Sequence, residues 1–369
     1  MPEIILQHVT KRFDKFVAVQ DLDLQIQDRG FITLLGPSGC GKTTTLRMIA
    51  GLETPTSGRI LIDGTPVFDS EKGINLPPNK RDIGFLFQNY ALWPHMTVYE
   101  NIAFGLEMLK WDKARTRKRV DELLALLKIE QFEKRYPAEL SGGQQQRVAI
   151  ARTLAPSPKV LFMDEPLSNL DAKLRQEMRT ELKRLHSDTN STFVYVTHDQ
   201  LEAMTLSTKV CLMDTGVLQQ YAPPLEIYGH PANLFVAEFV GNPTMNFIPA
   251  TVKTANGNRA SLSLLGHDAT FIAKAPLDGL KGDVVLGVRP EFLPIQADGP
   301  LRGKTYSTLP AGMETTVKLT CGGAMLTSVV FGCVDYAVDT ELPLNIVGDN
   351  IALFEKQSGK SVGFGSVSF

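Results

Sequence analysis

Apolar residues follow two different periods along the first 236 positions of the chain. Residues 31–35, 160–163 and 192–196 are short, nearly uninterrupted apolar runs, which is typical of buried strands. Between the last two runs, apolar side chains recur at helical spacing from Leu174 to Leu185, so one face of a helix is expected to pack in a core. Strands alternating with helices predict an α/β fold with a mainly parallel sheet.

The pattern changes near residue 240. Short strand-like runs broken by Gly and Pro then continue to the end, which predicts a small all-β barrel. We therefore expect an α/β domain at 1–236, with a helical subdomain at about 89–158, and a β-barrel domain at 237–369. A length of 369 residues suits two domains better than one.

Composition narrows the functional classes. The net charge of −2 offers no electrostatic argument for binding nucleic acid, so no nucleic-acid partner is expected. No apolar run approaches the roughly 18 residues that a membrane helix needs, and residues 1–6 do not resemble a signal peptide. A cytosolic location is expected, with membrane contact only through a partner. The basic residues between Lys113 and Arg119 are interpreted as a solvated helix face rather than a lipid or partner contact.

The scatter of the four cysteines matches neither a zinc site nor a redox pair, so free thiols are expected. One of them, Cys40, lies in a glycine-rich loop between the strand at 31–35 and a predicted helix at 43–50. This loop fits the phosphate-binding pattern G-x-x-x-x-G-K-[ST], in which backbone N–H groups converge on phosphate oxygens. The pattern is formed by Gly36, Pro37, Ser38, Gly39, Cys40, Gly41, Lys42 and Thr43. The next residue, Thr44, is also expected to bind the nucleotide.

Charged groups of complementary chemistry accompany the loop. Lys42 would reach the β- and γ-phosphates, and the Thr43 hydroxyl would ligate Mg²⁺. Asp164 and Glu165 emerge where the apolar run at 160–163 ends, which suits Asp164 to hold Mg²⁺ and Glu165 to act as a general base on water. Residues 79–82 match a guanine-reading N-K-x-D motif, but they precede these carboxylates and are interpreted as a surface turn.

A second glycine motif distinguishes between classes of nucleotide enzyme. Ser141, Gly142 and Gly143 follow a leucine and precede glutamines, and together they resemble the signature of ATP-binding cassette (ABC) proteins. A hydroxyl, bare N–H groups and a helix N-terminus form a second phosphate cradle. The resemblance implies a head-to-tail dimer, in which the signature of one copy covers the ATP held by the phosphate loop of the other.

Other segments are similar to further elements of that family. Gln88 resembles the Q-loop glutamine that contacts Mg²⁺ and the attacking water, and residues 91–96 would face the membrane partner, although core packing is an alternative. Asp171 ends the segment that resembles the D-loop, and His198 resembles the switch histidine at the γ-phosphate. Phe13 lies where the family places an adenine-stacking aromatic residue.

Residues 241–247 and 287–291 are similar to segments of ATPases from maltose and glycerol-phosphate importers, whose C-terminal domain is a barrel of oligonucleotide/oligosaccharide-binding (OB) type. The resemblance implies an ATPase at the cytoplasmic face of the membrane. It would use ATP and Mg²⁺ and work with a second copy of itself, two transmembrane permease subunits and an extracytoplasmic solute-binding protein. Polyamine, sulfate, molybdate and ferric-iron importers remain alternatives for the solute.

Two functions outside transport also remain open. One is a soluble cassette ATPase acting on DNA or ribosomes, although neither inserted coiled coils nor a second phosphate loop occurs in the sequence. The other is a nucleotide-gated regulator, which the barrel-like tail would suit.

Overall fold

A computed structural model describes residues 3–277 and 279–369 of the chain. It divides into two compact units, Met1–Pro224 and Leu225–Phe369. The division lies before the domain boundary expected at 236/237.

The first unit contains two sheets and the helices that surround them. Its strands are β1 Ile4–Phe13, β2 Phe16–Ile26, β3 Phe31–Leu35, β4 Ser57–Ile62, β5 Thr65–Asp69, β6 Ile74–Asn75, β7 Ile83–Leu86, β8 Val160–Asp164, β9 Thr192–Val196, β10 Lys209–Asp214 and β11 Val217–Ala222. Its helices are α1 Lys42–Ala50, α2 Val98–Met108, α3 Lys113–Leu126, α4 Gly142–Leu154, α5 Ala172–Asp188 and α6 Gln200–Leu206.

The central sheet has the order β11-β10-β3-β9-β8-β7. Strands β10, β3, β9, β8 and β7 run parallel, and β11 is antiparallel to β10. Every residue of β3, β8 and β9 is buried, because helices cover both faces of such a sheet. The α/β fold and the strands predicted at 31–35, 160–163 and 192–196 are confirmed. The predicted helix at 43–50 is also confirmed, beginning one residue earlier.

A second, antiparallel sheet has the order β2-β1-β4-β5-β6. Helices α2, α3 and α4 pack on one another between β7 and β8 and contribute to a core that includes Ile102, Leu123 and Val148. The helix stripe predicted for 174–185 is buried at Met178, Leu182 and Leu185, as expected, while Leu174 is partly buried against the same core.

The second unit is built mainly of antiparallel strands. Its elements are α7 Pro224–Gly229, which begins at the division, α8 Leu234–Phe239, β12 Asn246–Asn256, β13 Arg259–Leu264, β14 His267–Ala273, β15 Gly282–Val288, β16 Leu301–Pro310, β17 Glu314–Cys321, β18 Ala324–Phe331, β19 Glu341–Leu344, β20 Ile351–Glu355 and β21 Ser361–Ser368. Strands β12-β13-β14-β21-β20-β15 close into a barrel, and β18-β17-β16-β19 form a separate sheet. The predicted β-barrel is confirmed.

Candidate functional site

The glycine-rich loop connects the buried strand β3 to helix α1. Gly36, Gly39 and Gly41 have φ values of 148°, 81° and 100°, which lie in the region that favours glycine. A Cβ at Gly36 would lie 2.2 Å from the Met213 carbonyl oxygen, and one at Gly41 would lie 2.4 Å from that of Ala18. The curl of the loop therefore requires glycine at both positions.

Lys42 lies inside this curl, with only 5% of its surface exposed. Its Nζ donates to the carbonyl oxygens of Gly36 and Pro37 at 2.8 Å each, and the Cys40 Sγ lies 3.7 Å away. Burial raises the pKa of the Cys40 thiol, which keeps it protonated. A buried ammonium group at the N-terminus of α1 makes the loop strongly attractive to an anion, so the loop fits a nucleotide phosphate chain.

Asp164 and Thr43 form the next part of the site. The Thr43 Oγ1 donates to the Asp164 Oδ1 at 2.9 Å, and the carboxylate is almost fully buried at the end of β8. Hydroxyl and carboxylate oxygens are ligands that Mg²⁺ prefers, so this pair fits the metal that accompanies ATP. Arg47 lies 3.4 Å from the other Asp164 oxygen and was missed by the sequence reasoning. Its spacing of one helical turn from Thr43 was the available signal.

Glu165 follows Asp164 in a left-handed conformation, with φ of 45°. Its N–H donates to the Val196 carbonyl at 3.1 Å, which ties it to the end of the neighbouring strand β9. Its Oε2 lies 3.2 Å from the Nδ1 of His198, which follows β9. Left-handed non-glycine residues are uncommon and concentrate at functional sites. Here the conformation places a carboxylate beside an imidazole.

Gln88 lies beyond the end of β7, next to the segment that follows Glu165. Its Nε2 donates to the Ser168 Oγ at 3.3 Å, and its backbone oxygen accepts from the Asn169 Nδ2 at 3.2 Å. Ser168 in turn donates to the Glu165 carbonyl at 2.9 Å. Side chains from the ends of β7, β8 and β9 and the loop after β3 thus meet at one edge of the sheet, where ligands of α/β proteins bind.

The second glycine motif begins helix α4. The Ser141 Oγ accepts from the Gln144 N–H at 3.4 Å, and the Gln144 side chain accepts from the Ser141 N–H at 2.9 Å, which forms a capping box. Ser141 and Gly142 are exposed, whereas a Cβ at Gly143 would lie 2.6 Å from Leu174 of α5. Among the described residues, the hydrogen bonds of Ser141, Gly142 and Gly143 link them to none of residues 36–44.

Asp171 caps helix α5 by accepting from the Leu174 N–H at 3.0 Å. It follows the segment that contacts Gln88, so α5 and the Gln88 turn are connected through a few residues.

Phe13 ends β1 and is 43% exposed. The Lys11 Nζ lies 4.5 Å from the centre of its ring, and Phe16 pairs with Phe13 across the β1–β2 turn. A partly exposed ring can offer a face to a planar base.

One interpretation from the sequence was incomplete. Residues 79–82 do form a turn, and Asn79, Lys80 and Asp82 are exposed, but Arg81 is buried. Its guanidinium donates to the carbonyls of Met48 and Ile49 at the end of α1, at 2.9 and 2.8 Å. It therefore anchors the helix that carries Lys42. Burial lowers the pKa of Arg81 to about 10, which still leaves it charged at neutral pH.

The expected free thiols are confirmed at all four cysteines. Among the described residues, helices that combine the length and the apolar character needed to cross a bilayer do not occur.

Comparison with known proteins agrees with the geometry. A model of the ABC transporter family matches residues 19–168, and a model of the MalK OB fold domain matches residues 241–293. The chain is 44% identical to the trehalose/maltose import ATP-binding protein MalK of Thermococcus litoralis, over 98% of this chain and 100% of that one. It is 49% identical to the spermidine/putrescine import ATP-binding protein PotA of Roseobacter denitrificans, over 80% of this chain and 79% of that one.

Solved structures are similar to about 60% of the chain. The chain is similar to the ATP-binding cassette MJ0796, described as a dimer in a post-hydrolysis state with ADP and Pi, with 33% identity and a TM-score of 0.52 over 60% of this chain and 98% of that one. It is also similar to cbiO1 of the Clostridium perfringens transporter complex cbiONQ, with 31% identity and a TM-score of 0.56 over 61% of this chain and 89% of that one. The phosphate loop, the carboxylates beside it and the barrel agree with these relatives. The chain therefore belongs to the ABC transporter family, as an ATPase subunit of the importer type.

Proposed function

We propose that this ATPase energises uptake of a carbohydrate or glycerol phosphate by hydrolysing MgATP at the edge formed by β3, β7, β8 and β9. The observation that carries the proposal is that the Thr43–Asp164 and Glu165–His198 contacts both lie at that edge, next to the loop that contains Lys42. These groups come from the loop after β3 and from the ends of β8 and β9, and their chemistry is that of phosphoryl transfer to water.

The phosphate loop would hold the nucleotide. Backbone N–H groups of residues 36–44 and the Lys42 ammonium would bind the β- and γ-phosphates. Thr43, Asp164 and Gln88 would hold Mg²⁺, and the metal would supply positive charge against the phosphate oxygens. The Phe13 ring would stack on the adenine.

Glu165 would take the proton of the attacking water. Its Oε2 lies 3.2 Å from the His198 Nδ1, so the imidazole can keep the carboxylate pointed at the water position and contact the γ-phosphate itself. The hydrogen bond from the Glu165 N–H to the Val196 carbonyl fixes the backbone that carries this carboxylate. Positioning and charge, rather than a covalent intermediate, would lower the barrier.

The second cradle would act in a dimer. The Ser141 hydroxyl and the N–H groups of Gly142 and Gly143 would close over the γ-phosphate held by another copy, with Asp171 near the junction. Among the described residues they share no hydrogen bond with residues 36–44, which supports an intermolecular role, as does the similarity to the dimeric MJ0796 cassette.

Two permease subunits and an extracytoplasmic solute-binding protein would complete the transporter, with this chain at the cytoplasmic face. The loop at 91–96 would contact the permease. Its Leu92 and Trp93 are half-buried, and Leu92 packs on the core. Pro94 and His95 of the same loop are exposed and could contact a partner. Residues 1–236 would be the ATPase domain and 237–369 a regulatory domain.

The match of the MalK OB fold model to residues 241–293 favours a sugar as the solute, while the identity with PotA favours a polyamine as the second candidate. The test is deletion of the gene in its own organism, followed by uptake assays with labelled maltose, trehalose and spermidine. Sugar uptake should be lost, restored by the wild-type gene and not by Glu165→Gln. Selective loss of spermidine uptake would favour a polyamine as the solute. Unchanged uptake of all three compounds would contradict both the sugar and the polyamine hypotheses.

A further inference from the structure

The turn that contains Gln88 has an unusual backbone. The Tyr90 N–H donates to the Phe87 carbonyl at 3.0 Å and the Ala91 N–H to the Asn89 carbonyl at 2.7 Å. Tyr90 and Ala91 both have positive φ, 60° and 49°, although neither is glycine. Two consecutive left-handed residues are unfavourable for L-amino acids unless the surroundings hold them.

Arg152 holds this turn from the last turn of helix α4. Its Nη1 donates to the Ala91 carbonyl at 2.6 Å and its Nη2 to the Tyr90 carbonyl at 2.7 Å. The planar guanidinium matches the two consecutive carbonyls as a fork, which a lysine cannot do. The guanidinium carbon also lies 4.8 Å from the centre of the Trp93 ring. Both left-handed residues thus have their carbonyls fixed by one side chain.

The opposite side of the same turn contacts the segment after Glu165. Gln88 bonds Ser168 and Asn169 there through its side chain and its backbone oxygen. The turn is therefore clamped between that segment and α4, the helix that Ser141 begins. A shift of the turn would move the Gln88 amide relative to Glu165.

We propose that Arg152 is a positioning residue for hydrolysis, which locks the left-handed turn so that the Gln88 side chain stays at the reacting centre and moves together with the Ser141 helix. The proposal rests on the role proposed for Gln88. It predicts a loss of turnover without a loss of nucleotide binding, because the phosphate loop makes none of these contacts.

Arg119 supplies a matched control. It too donates its guanidinium to two successive backbone carbonyls at the end of α4, those of Leu154 and Ala155, at 3.1 and 3.3 Å. Neither carbonyl belongs to the Gln88 turn. If such an arginine only stabilised the structure, replacing Arg119 and replacing Arg152 would lower kcat equally.

The experiment compares the full-length variants Arg152→Met, Arg152→Lys, Arg119→Met and Gln88→Ala in steady-state phosphate release, MgATP binding and thermal melting. For Arg152→Met, kcat should fall roughly 10–10²-fold, the size expected for misplacement of a catalytic group. The dissociation constant for a non-hydrolysed ATP analogue should stay near the wild-type value. Arg152→Lys keeps the charge and should retain the wild-type melting temperature with an intermediate kcat. It also serves if the methionine variant does not fold.

A double variant separates the two proposals. If Arg152 acts through Gln88, adding Arg152→Met to Gln88→Ala should lower kcat little further, since coupled residues are non-additive. If the kcat losses of Arg152→Met and Gln88→Ala multiply in the double variant, the proposed role of Arg152 is wrong. Equal effects of Arg152→Met and Arg119→Met on kcat would also overturn it. A Gln88→Ala protein with wild-type turnover would instead remove the proposed role of Gln88.

Discussion

At the scale of single residues, the site depends on a few charged side chains that the fold has largely removed from water. Lys42 and Asp164 are both nearly fully buried, yet each has polar partners, so neither charge is isolated. Their burial strengthens their action on a bound nucleotide, because electrostatic interactions are weakly screened in such surroundings. Glu165 is more open, with 23% of its side chain exposed, which suits the general-base role proposed for it.

Removing the Lys42 ammonium should abolish turnover while leaving the fold intact. Lys42→Ala takes away the cation that would clamp the β- and γ-phosphates, and we expect phosphate release to fall by at least roughly 10²-fold, as for the loss of a transition-state donor. Steady-state phosphate release and far-UV circular dichroism would measure the two effects. The exposed Lys80, replaced by alanine, is the matched control. A folded Lys42→Ala protein that still hydrolyses ATP at the wild-type rate would refute the assignment.

At the scale of elements, different interactions hold the two ends of α1. Gly41, in the left-handed conformation, begins it at the phosphate loop. At the other end the Arg81 guanidinium binds carbonyls of Met48 and Ile49 and also the Leu76 carbonyl, at 2.8 Å, in the segment that follows β6. The last carbonyls of a helix have no partner within the helix itself, so a buried helix end needs such a donor. The orientation of α1 therefore depends on a residue remote from the nucleotide.

Arg81→Met should destabilise the first unit rather than impair chemistry directly. The Ile49 and Leu76 carbonyls would lose their donor, at about 1–3 kcal/mol for each group left unsatisfied, while the Met48 carbonyl would keep the Gly51 N–H. We expect urea denaturation to show a free energy of unfolding lower by at least about 2 kcal/mol, with a smaller effect on kcat measured well below the melting temperature. Lys80→Met changes the neighbouring exposed residue and should leave stability near the wild-type value. Equal stability of Arg81→Met and the wild type would contradict the anchoring role.

At the scale of the whole molecule, the two proposed phosphate cradles, 36–44 and 141–143, share no hydrogen bond among the described residues. In the loop at 36–44, Lys42 donates to the Gly36 and Pro37 carbonyls, whereas Ser141 and Gly142 are exposed at the start of α4. In a two-fold arrangement of identical chains, residues 141–143 of each copy would face the loop at 36–44 of the other, which would form two equivalent sites.

A trapped dimer would test this arrangement and the general base together. Glu165→Gln keeps the size of the side chain and removes its charge, so MgATP should bind while hydrolysis falls roughly 10²–10⁴-fold. The variant should then sediment as a dimer with MgATP and as a monomer with MgADP, at high protein concentration.

Adding Ser141→Arg should abolish the dimer, because a bulky side chain would block the opposing phosphate. Ser141→Thr is the control, since threonine can still cap α4. Two results would count against these assignments: a Glu165→Gln protein that is saturated with MgATP yet monomeric, or one with near-wild-type turnover.

The sequence by itself determined the elements whose physical cause is local. Strands β3, β8 and β9 could be predicted because a strand buried on both faces must be apolar throughout. The phosphate loop could be predicted because its glycines are required by backbone conformation, and the barrel because short alternating strands between turns allow few other folds. Parallel strands end at one edge of a sheet, which is why Glu165 after β8 and His198 after β9 lie side by side.

Tertiary structure alone decided which side chains support the site from a distance. Arg81 was interpreted as part of a surface turn, and nothing in its neighbours along the chain indicates that it reaches the end of α1. Arg152 and Arg47 were likewise ordinary helix residues until the fold placed them against the Gln88 turn and Asp164. Their partners are carbonyls or carboxylates contributed by other elements, distant in sequence except for Asn75 and Leu76 near Arg81. Hydrogen bonds of this kind follow from packing geometry, which hydrophobic period and motif spacing do not encode.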